Sequence, residues 1–274
     1  MSEKCDNNCA NCAKNCKSRK PSFAHTLGDT KINKIIGVIS GKGGVGKSFI
    51  TGTLASLFAK KGYKVGILDA DITGSSIPRL FGINQKIEGD GKGMYPAISS
   101  NGIKIMSLNL LLDQEENPVL WRGPILSGAD LQFYSESYWG ELDYLFVDMP
   151  PGTSDIALTV LQSIPLDGLV MVTTPSSLVS MIVSKAIIMA QKTGIKVLGL
   201  VNNMAYVICP DCGKKIILHH EDETLELLKK YNIDSYASLP LNPLYSLLFD
   251  EGRIEDFEGE ELNDVIKTIE NLKK

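Results

Sequence analysis

The chain has 274 residues, of which 43% are hydrophobic and 22% charged, and it carries a formal charge of −4. That size and composition suit one large α/β domain or two small ones with ample core, and the weakly acidic balance gives no support to nonspecific nucleic-acid binding. No apolar run approaches the length of a membrane span and the N-terminus is polar, so the expectation is a cytoplasmic chain with no signal peptide and no membrane partner.

Residues 1–30 read as a separate tail, rich in Asn, Lys and Ser with almost no periodic apolar signal, so no packed fold is expected there without a ligand. The tail holds Cys5, Cys9, Cys12 and Cys16 in a C-x3-C-x2-C-x3-C pattern. Nothing routes the chain to an oxidising compartment, so clustered thiols read as metal ligands or redox groups rather than disulfides. Four thiols in so short a stretch can close around a [4Fe-4S] cluster, and soft thiolates also suit zinc. An unliganded reactive tail is the third reading. The first three cysteines repeat the spacing of radical-SAM enzymes, but no barrel pattern follows them.

From residue 31 to 274 apolar strands alternate with amphipathic helices, the pattern of a mostly parallel sheet with helices on both faces. Strands are predicted at 35–39, 65–68, 103–107, 144–147, 169–173, 197–201 and near 236–239. Helices are predicted at 46–61, 125–137, 154–163, 178–193, 221–231 and 260–273. Residues 82–100, rich in Gly and polar groups, read as an exposed excursion, and 204–220 as an insertion carrying the last two cysteines.

Between the first strand and the first helix stands Gly41-Lys42-Gly43-Gly44-Val45-Gly46-Lys47-Ser48, which fits the phosphate-binding loop G-x-x-x-x-G-K-[ST]. Its glycines let backbone N–H groups turn toward phosphate oxygens, and the helix N-terminus adds its positive end. Lys47 is placed to meet the β- and γ-phosphates and the Ser48 hydroxyl to bind Mg²⁺, so a nucleoside triphosphate is the expected ligand. The second strand ends in Asp69-Ala70-Asp71, two carboxylates that strand alternation sends to one side. Asp71 is the candidate for orienting the attacking water or the Mg²⁺ shell; the bland alternative is a helix N-cap. Tyr144 to Asp148 is an apolar strand ending in Asp, the form of a Walker B element, and Asp148 is the second expected Mg²⁺ ligand. In the following Met149-Pro150-Pro151-Gly152-Thr153-Ser154-Asp155 loop, Gly152 is positioned to bring an N–H near the γ-phosphate. At the end of the 197–201 strand, Asn202-Asn203 offers amides able to read a base.

Cys209-Pro210-Asp211-Cys212-Gly213 has the knuckle shape of zinc ribbons and iron–sulfur proteins, but a closed site needs about four ligands. His219 and His220 could complete it within the chain, although adjacent residues rarely point the same way. A redox dithiol would need a thioredoxin-like context, which is missing. A second copy of the chain could instead donate its own pair across a two-fold axis.

Lys42, one residue into the loop, marks the deviant K-G-G-x-G-K-[ST] form, and here the chain resembles the MinD/ParA/ArsA branch of P-loop (SIMIBI-type) NTPases. That resemblance implies that Lys42 reaches the partner subunit's nucleotide in a homodimer, and that Asn203 and Pro240 flank adenine. With D-A-D-I, V-D-M-P-P-G-T-S-D, N-N-M and C-P-x-C-G in this order, residues 32–274 resemble the Mrp/ApbC-type ATPases, which are iron–sulfur cluster carriers or scaffolds. The resemblance implies ATP hydrolysis coupled to cluster loading or transfer, in which Lys42 joins Lys47 and Asp71 as a catalytic group. It further implies a labile [4Fe-4S] cluster bridged by Cys209 and Cys212 of two subunits, and delivery to apo iron–sulfur clients. The chain departs from that family after the cysteine turn, where 216–223 carries two histidines instead of a glycine-rich stretch. Two rival readings are a MinD/ParA-like positioning ATPase and an ATPase regulated by zinc or redox state. The first would want a basic amphipathic C-terminus, whereas residues 259–274 set Glu260, Glu261, Asp264 and Glu270 against Lys267, Lys273 and Lys274.

Overall fold

The structure, a computed structural model, describes residues 23–71, 74, 76–111, 123–175, 177–218 and 222–273. Cys5, Cys9, Cys12 and Cys16, and likewise His219 and His220, lie outside the described residues.

The chain opens with β1 (Lys31–Ser40), which is buried from Ile35 onward, and turns through the glycine loop into α1 (Lys47–Lys60). β2 (Val65–Asp69) is wholly buried. A short helix, α2 (Ile77–Leu80), leads to a small hairpin of β3 (Glu88–Gly89) and β4 (Met94–Tyr95), then to β5 (Ala97–Ile98) and β6 (Lys104–Ser107). The second half runs α3 (Gly123–Ser135), β7 (Glu141–Asp148), α4 (Asp155–Ser163), β8 (Gly168–Thr173) and α5 (Ser177–Lys192). It continues with β9 (Val197–Ile208), β10 (Lys215–Ile217), α6 (Asp222–Tyr231), β11 (Ser235–Pro240), α7 (Pro243–Asp250) and α8 (Asn263–Glu270).

The main sheet has the order β10-β9-β8-β1-β7-β2-β6-β5, with β11 also on β9. Every pairing from β9 through to β6 is parallel, as is β11 with β9; only the outer β10 and β5 run antiparallel. Near-continuous apolar strands such as Leu145–Val147 and Leu169–Val172 follow from this, because a parallel sheet is covered by helices and offers its strands no wet face. Parallel alignment also gathers the carboxyl ends of the strands on one edge, where ligands bind in open α/β sheets. The register sets Asp148 beside both Val38 and Asp69, and Asp69 beside Ser107.

Four expectations need correction. Strand β9 does not stop at Val201 but continues to Ile208, because beyond Asn202 it exchanges its partner β8 for β10. The last helix is shorter than predicted: Glu260–Leu262 is a 3₁₀ turn, and α8 covers only Asn263–Glu270. Residues 82–100 are more than an exposed excursion, since Ile83, Ile87, Ala97 and Ser99 are buried. Asp90 closes the hairpin there by accepting from the Lys92 and Gly93 N–H groups and the Tyr95 and Tyr138 hydroxyls. Finally, α7 was not expected; its start is signalled by Asn242, whose side chain accepts from Leu244 N–H, and by Pro243 in the first turn.

Candidate nucleotide site and cysteine turn

The loop from Gly41 to Ser48 links the buried end of β1 to the first turn of α1. Gly44 and Gly46 have φ values of 76° and 80°, left-handed conformations that a side chain would strain. Gly41 is required for another reason: a Cβ there would lie 2.8 Å from Ile182 on α5. No acidic group stands in the first turn of α1, so its N–H groups face the loop uncompensated.

Three carboxylates converge behind this loop. Asp148, fully buried at the end of β7, accepts from the Ser48 hydroxyl at 2.5 Å and the Thr51 hydroxyl at 2.7 Å. Lys47 Nζ lies 2.8 Å from Asp148 Oδ2 and 3.2 Å from Asp71 Oδ2. Burial pulls the Lys47 pKa down, but the charges of Asp148 and Asp71 outweigh it and hold the ammonium above its ordinary value. Asp69, which ends β2, and Asp71, two residues beyond it, therefore part company. Asp71 reaches Lys47, whereas Asp69 accepts from the Ser107 hydroxyl on β6 and from the Asp71 N–H. Strand β2 reaches the loop although β7 separates it from β1 in the sheet.

The Ser48 hydroxyl and the Asp148 carboxylate are hard oxygen donors within hydrogen-bonding distance of each other, which fits Mg²⁺. Lys42, earlier in the loop, is exposed. Gly152, with φ 79°, donates its N–H to the Ser40 carbonyl at 2.7 Å. It braces the loop after β7 against the phosphate loop and does not hold that N–H out for a phosphate. Ser154 caps α4 by accepting from Ala157 N–H.

A cavity of 430 Å³ opens beside Gly46 and is lined by Phe49, Asn203, Met204, Pro240, Leu241 and Tyr245 among others. Asn203 and Pro240, the two residues expected to flank a base, thus line one pocket. The Asn203 amide is already engaged: Nδ2 donates to the Val45 carbonyl at 3.0 Å and Oδ1 accepts from Met204 N–H. One hydrogen and one lone pair remain for a ligand. Phe49 and Tyr245, whose rings stack 5.6 Å apart at 18°, were not anticipated as pocket walls. The Asn242-Pro243 helix start was the signal that could have placed Tyr245 there.

Asp130 on α3 is also absent from the expectations. Its side chain is fully buried with neither oxygen hydrogen-bonded; burial, then the charges of Asp69 and Asp71, push its pKa up to about 8.

The cysteine turn projects from the far end of β9. Cys209 N–H donates to the Lys214 carbonyl and Gly213 N–H to the Cys209 carbonyl, which closes a tight knuckle with Gly213 at φ 69°. Cys209 is half-buried and Cys212 exposed, and both thiols are free. The Cys212 and Asp211 N–H groups, then the Cys212 side chain, hold the Cys209 thiol below its ordinary pKa, which favours the metal-binding thiolate. Among the described residues no group of three or more His, Cys, Asp or Glu converges on a metal-sized site. Ile208, Ile216, Ile217 and Leu218 stand exposed around the turn. Among the described residues no helix is long and apolar enough to cross a membrane.

Residues 31–272 match the ParA family model described as NUBPL iron-transfer P-loop NTPase. The chain is 48% identical over 237 residues to the iron-sulfur cluster carrier protein of Clostridium perfringens, covering 84% of this chain and 83% of that one. Among solved structures, a nucleotide-binding protein in complex with ADP from Archaeoglobus fulgidus superposes with a TM-score of 0.76 at 42% identity, covering 89% and 93% of the two chains. The cell division ATPase MinD of Pyrococcus furiosus superposes with a TM-score of 0.60 at 19% identity over 87% and 97% of the chains, a likeness of fold.

Proposed function

Since this chain belongs to the ParA-type iron-transfer P-loop NTPases, a family of iron–sulfur cluster carriers, we propose that it is an ATP-dependent carrier that holds a labile [4Fe-4S] cluster between two copies of itself. The cluster is its cargo, delivered to apo iron–sulfur proteins, and the cytoplasm is its place of work.

One observation supports this above the rest. Cys209 and Cys212 form a two-thiol half-site on a solvent-facing knuckle, with the Cys209 thiol already biased toward thiolate. Two thiolates satisfy half of a four-ligand cluster. A second copy supplies the other half on a two-fold axis, and the exposed Ile208, Ile216 and Ile217 give that contact an apolar rim. The tail cysteines Cys5, Cys9, Cys12 and Cys16 would hold a second cluster or zinc.

On the nucleotide side, Ser48 and Asp148 would hold Mg²⁺, which when bound neutralises charge on the β- and γ-phosphate oxygens. Lys47 turns from its carboxylates to the phosphates of ATP. Asp71, released from that ion pair, orients the water that attacks the γ-phosphorus in line. The bond from the γ-phosphorus to the bridging oxygen breaks, giving ADP and phosphate. Lys42, free in solvent, reaches the partner copy's nucleotide. Asn203 and Pro240 flank the adenine, with Phe49 and Tyr245 as its apolar walls.

Anaerobic reconstitution with iron and sulfide tests the cluster site. The native chain should bind iron and run as a dimer in size-exclusion chromatography with light scattering. A Cys209→Ser, Cys212→Ser double variant should lose the bridging iron and the iron-dependent dimer. Unchanged iron content in the double variant would sink the proposal.

A further inference from the structure

Strand β9 is one continuous element from the sheet to the cysteine turn, yet it changes character at a single joint. Through Asn202 it is a sheet strand, paired with β8 up to Thr173–Asn202 and with β11 in unbroken register up to Ser238–Asn202, and β11 pairs with it again at Pro240–Tyr206. From Tyr206 it is one arm of a hairpin, paired with β10 through Ile217–Tyr206. Between the two, β11 advances two residues, from Ser238 to Pro240, while β9 advances four, from Asn202 to Tyr206. The surplus is a bulge at residues 203–205, the kind of irregularity that re-aims a strand beside an active site.

Each residue of that bulge is tied to something different. Asn203 is bonded to the phosphate loop at Val45 and packs so closely on Gly46 that a Cβ there would collide with its amide. Met204 has φ 56°, one of two non-glycine residues with positive φ among those described, and it lines the pocket beside Gly46. The Ala205 carbonyl accepts from Leu218 N–H, at the return end of the hairpin. One residue beyond, the Tyr206 carbonyl accepts from Leu241 N–H at 2.7 Å, and Leu241 lines the same pocket. Lys215 Nζ, 3.9 Å from the centre of the Tyr206 ring, ties the two hairpin arms together. The pocket thus grips the strand on both sides of the bulge, and Cys209 stands within about 20 Å of Asn203 along a hydrogen-bonded strand.

We infer that Met204 is a positioning residue: a strained joint that converts occupancy of the nucleotide pocket into a reorientation of the Cys209–Cys212 turn. A left-handed non-glycine backbone is costly and is held only where surrounding contacts over-determine it. A ligand pressing on Met204 and Leu241 displaces both anchors of the bulge, and the stiff hairpin beyond carries that displacement to the thiols. This deepens the carrier reading by naming the element that links its two sites, and it is testable without any cluster.

The test uses the full metal-free chain and iodoacetamide, with alkylation of Cys209 and Cys212 followed separately by peptide mass, with and without Mg-ADP at a concentration shown by calorimetry to saturate each variant. In the native chain Mg-ADP should change the Cys209 alkylation rate by about fivefold or more. Met204→Gly, which lets the bulge absorb the displacement, should bring that ratio near unity; Met204→Ala, which keeps the backbone restriction, should preserve it. If Met204→Gly does not bind Mg-ADP, Ala205→Gly puts the same freedom one residue along the bulge and takes its place. The inference is overturned by a native rate indifferent to Mg-ADP, by a glycine variant that responds like the native chain, or by an alanine variant that loses the response. None of these depends on iron, so failure here is distinct from failure of the cluster site.

Discussion

Lys47 Nζ is held between two carboxylates, 2.8 Å from Asp148 and 3.2 Å from Asp71, and both partners are buried. The residue expected to meet phosphate therefore also neutralises the interior of the site. Lys47→Ala should lose nucleotide binding and, separately, stability: a buried pair broken on one side costs about 3–5 kcal/mol. The Ser48 and Thr51 hydrogen bonds that remain on Asp148 favour the lower end. Urea denaturation at pH 7 measures the loss. Because the Lys47 pKa is raised in the folded chain, its stabilisation is fully present below the unfolded value of about 10.4 and disappears as pH climbs through the higher folded value. The native–variant difference should accordingly stay level from neutrality to about pH 10 and shrink above it.

Lys42 is the opposite case, exposed a few residues away. Lys42→Ala should change folding stability by no more than about 0.5 kcal/mol. If it serves the partner copy's nucleotide as a finger residue does, ATP turnover should fall by about 10³-fold. Steady-state phosphate release alongside a denaturation curve separates the two effects.

Asp130 carries a pH dependence of its own. Its folded pKa of about 8 lies above the ordinary carboxylate value, so the folded chain keeps a proton that the unfolded chain gives up. Between about pH 4 and 8 this residue erodes stability as pH rises, by an amount on the order of a few kcal/mol. Asp130→Asn should flatten the fall in melting temperature between pH 5 and 8, with the largest gain at the alkaline end. A native profile already flat over that range would contradict the assignment.

Much of the candidate site was legible because its parts are local in sequence. A glycine loop between strand and helix, an aspartate ending an apolar strand and a cysteine knuckle each occupy a few adjacent residues, and Lys47, Ser48, Asp71, Asp148, Cys209 and Cys212 could be named from them. What escaped depends on residues far apart in sequence. Tyr245 meets Phe49 only because α7 folds back over α1, and Asp130 becomes a buried acid only because α3 lies against β2. The prolongation of β9 was hidden by polar Asn202 and Asn203, which end a strand by composition yet are buried by the phosphate loop and β11. The inward N–H of Gly152 likewise depended on how closely two loops approach.

The unforeseen pocket wall gives a further expectation. Tyr245→Ala removes the ring stacked on Phe49 at 5.6 Å and should weaken Mg-ADP binding by about tenfold, the equivalent of some 1.4 kcal/mol of aromatic contact. Isothermal calorimetry reads it directly, and an affinity equal to that of the native chain would remove the Phe49–Tyr245 cavity as the base site.

In the proposed function the phosphate loop and the cysteine turn serve one act, with nucleotide governing the hold on the cargo. The measurement that addresses it most directly is the rate at which a cluster reconstituted on the full chain passes to an apo-ferredoxin, followed by the acceptor's visible absorbance with and without Mg-ATP. Mg-ATP should change the transfer rate severalfold in the native chain and leave it unchanged in Lys47→Ala. Equal rates with and without Mg-ATP in the native chain would contradict it.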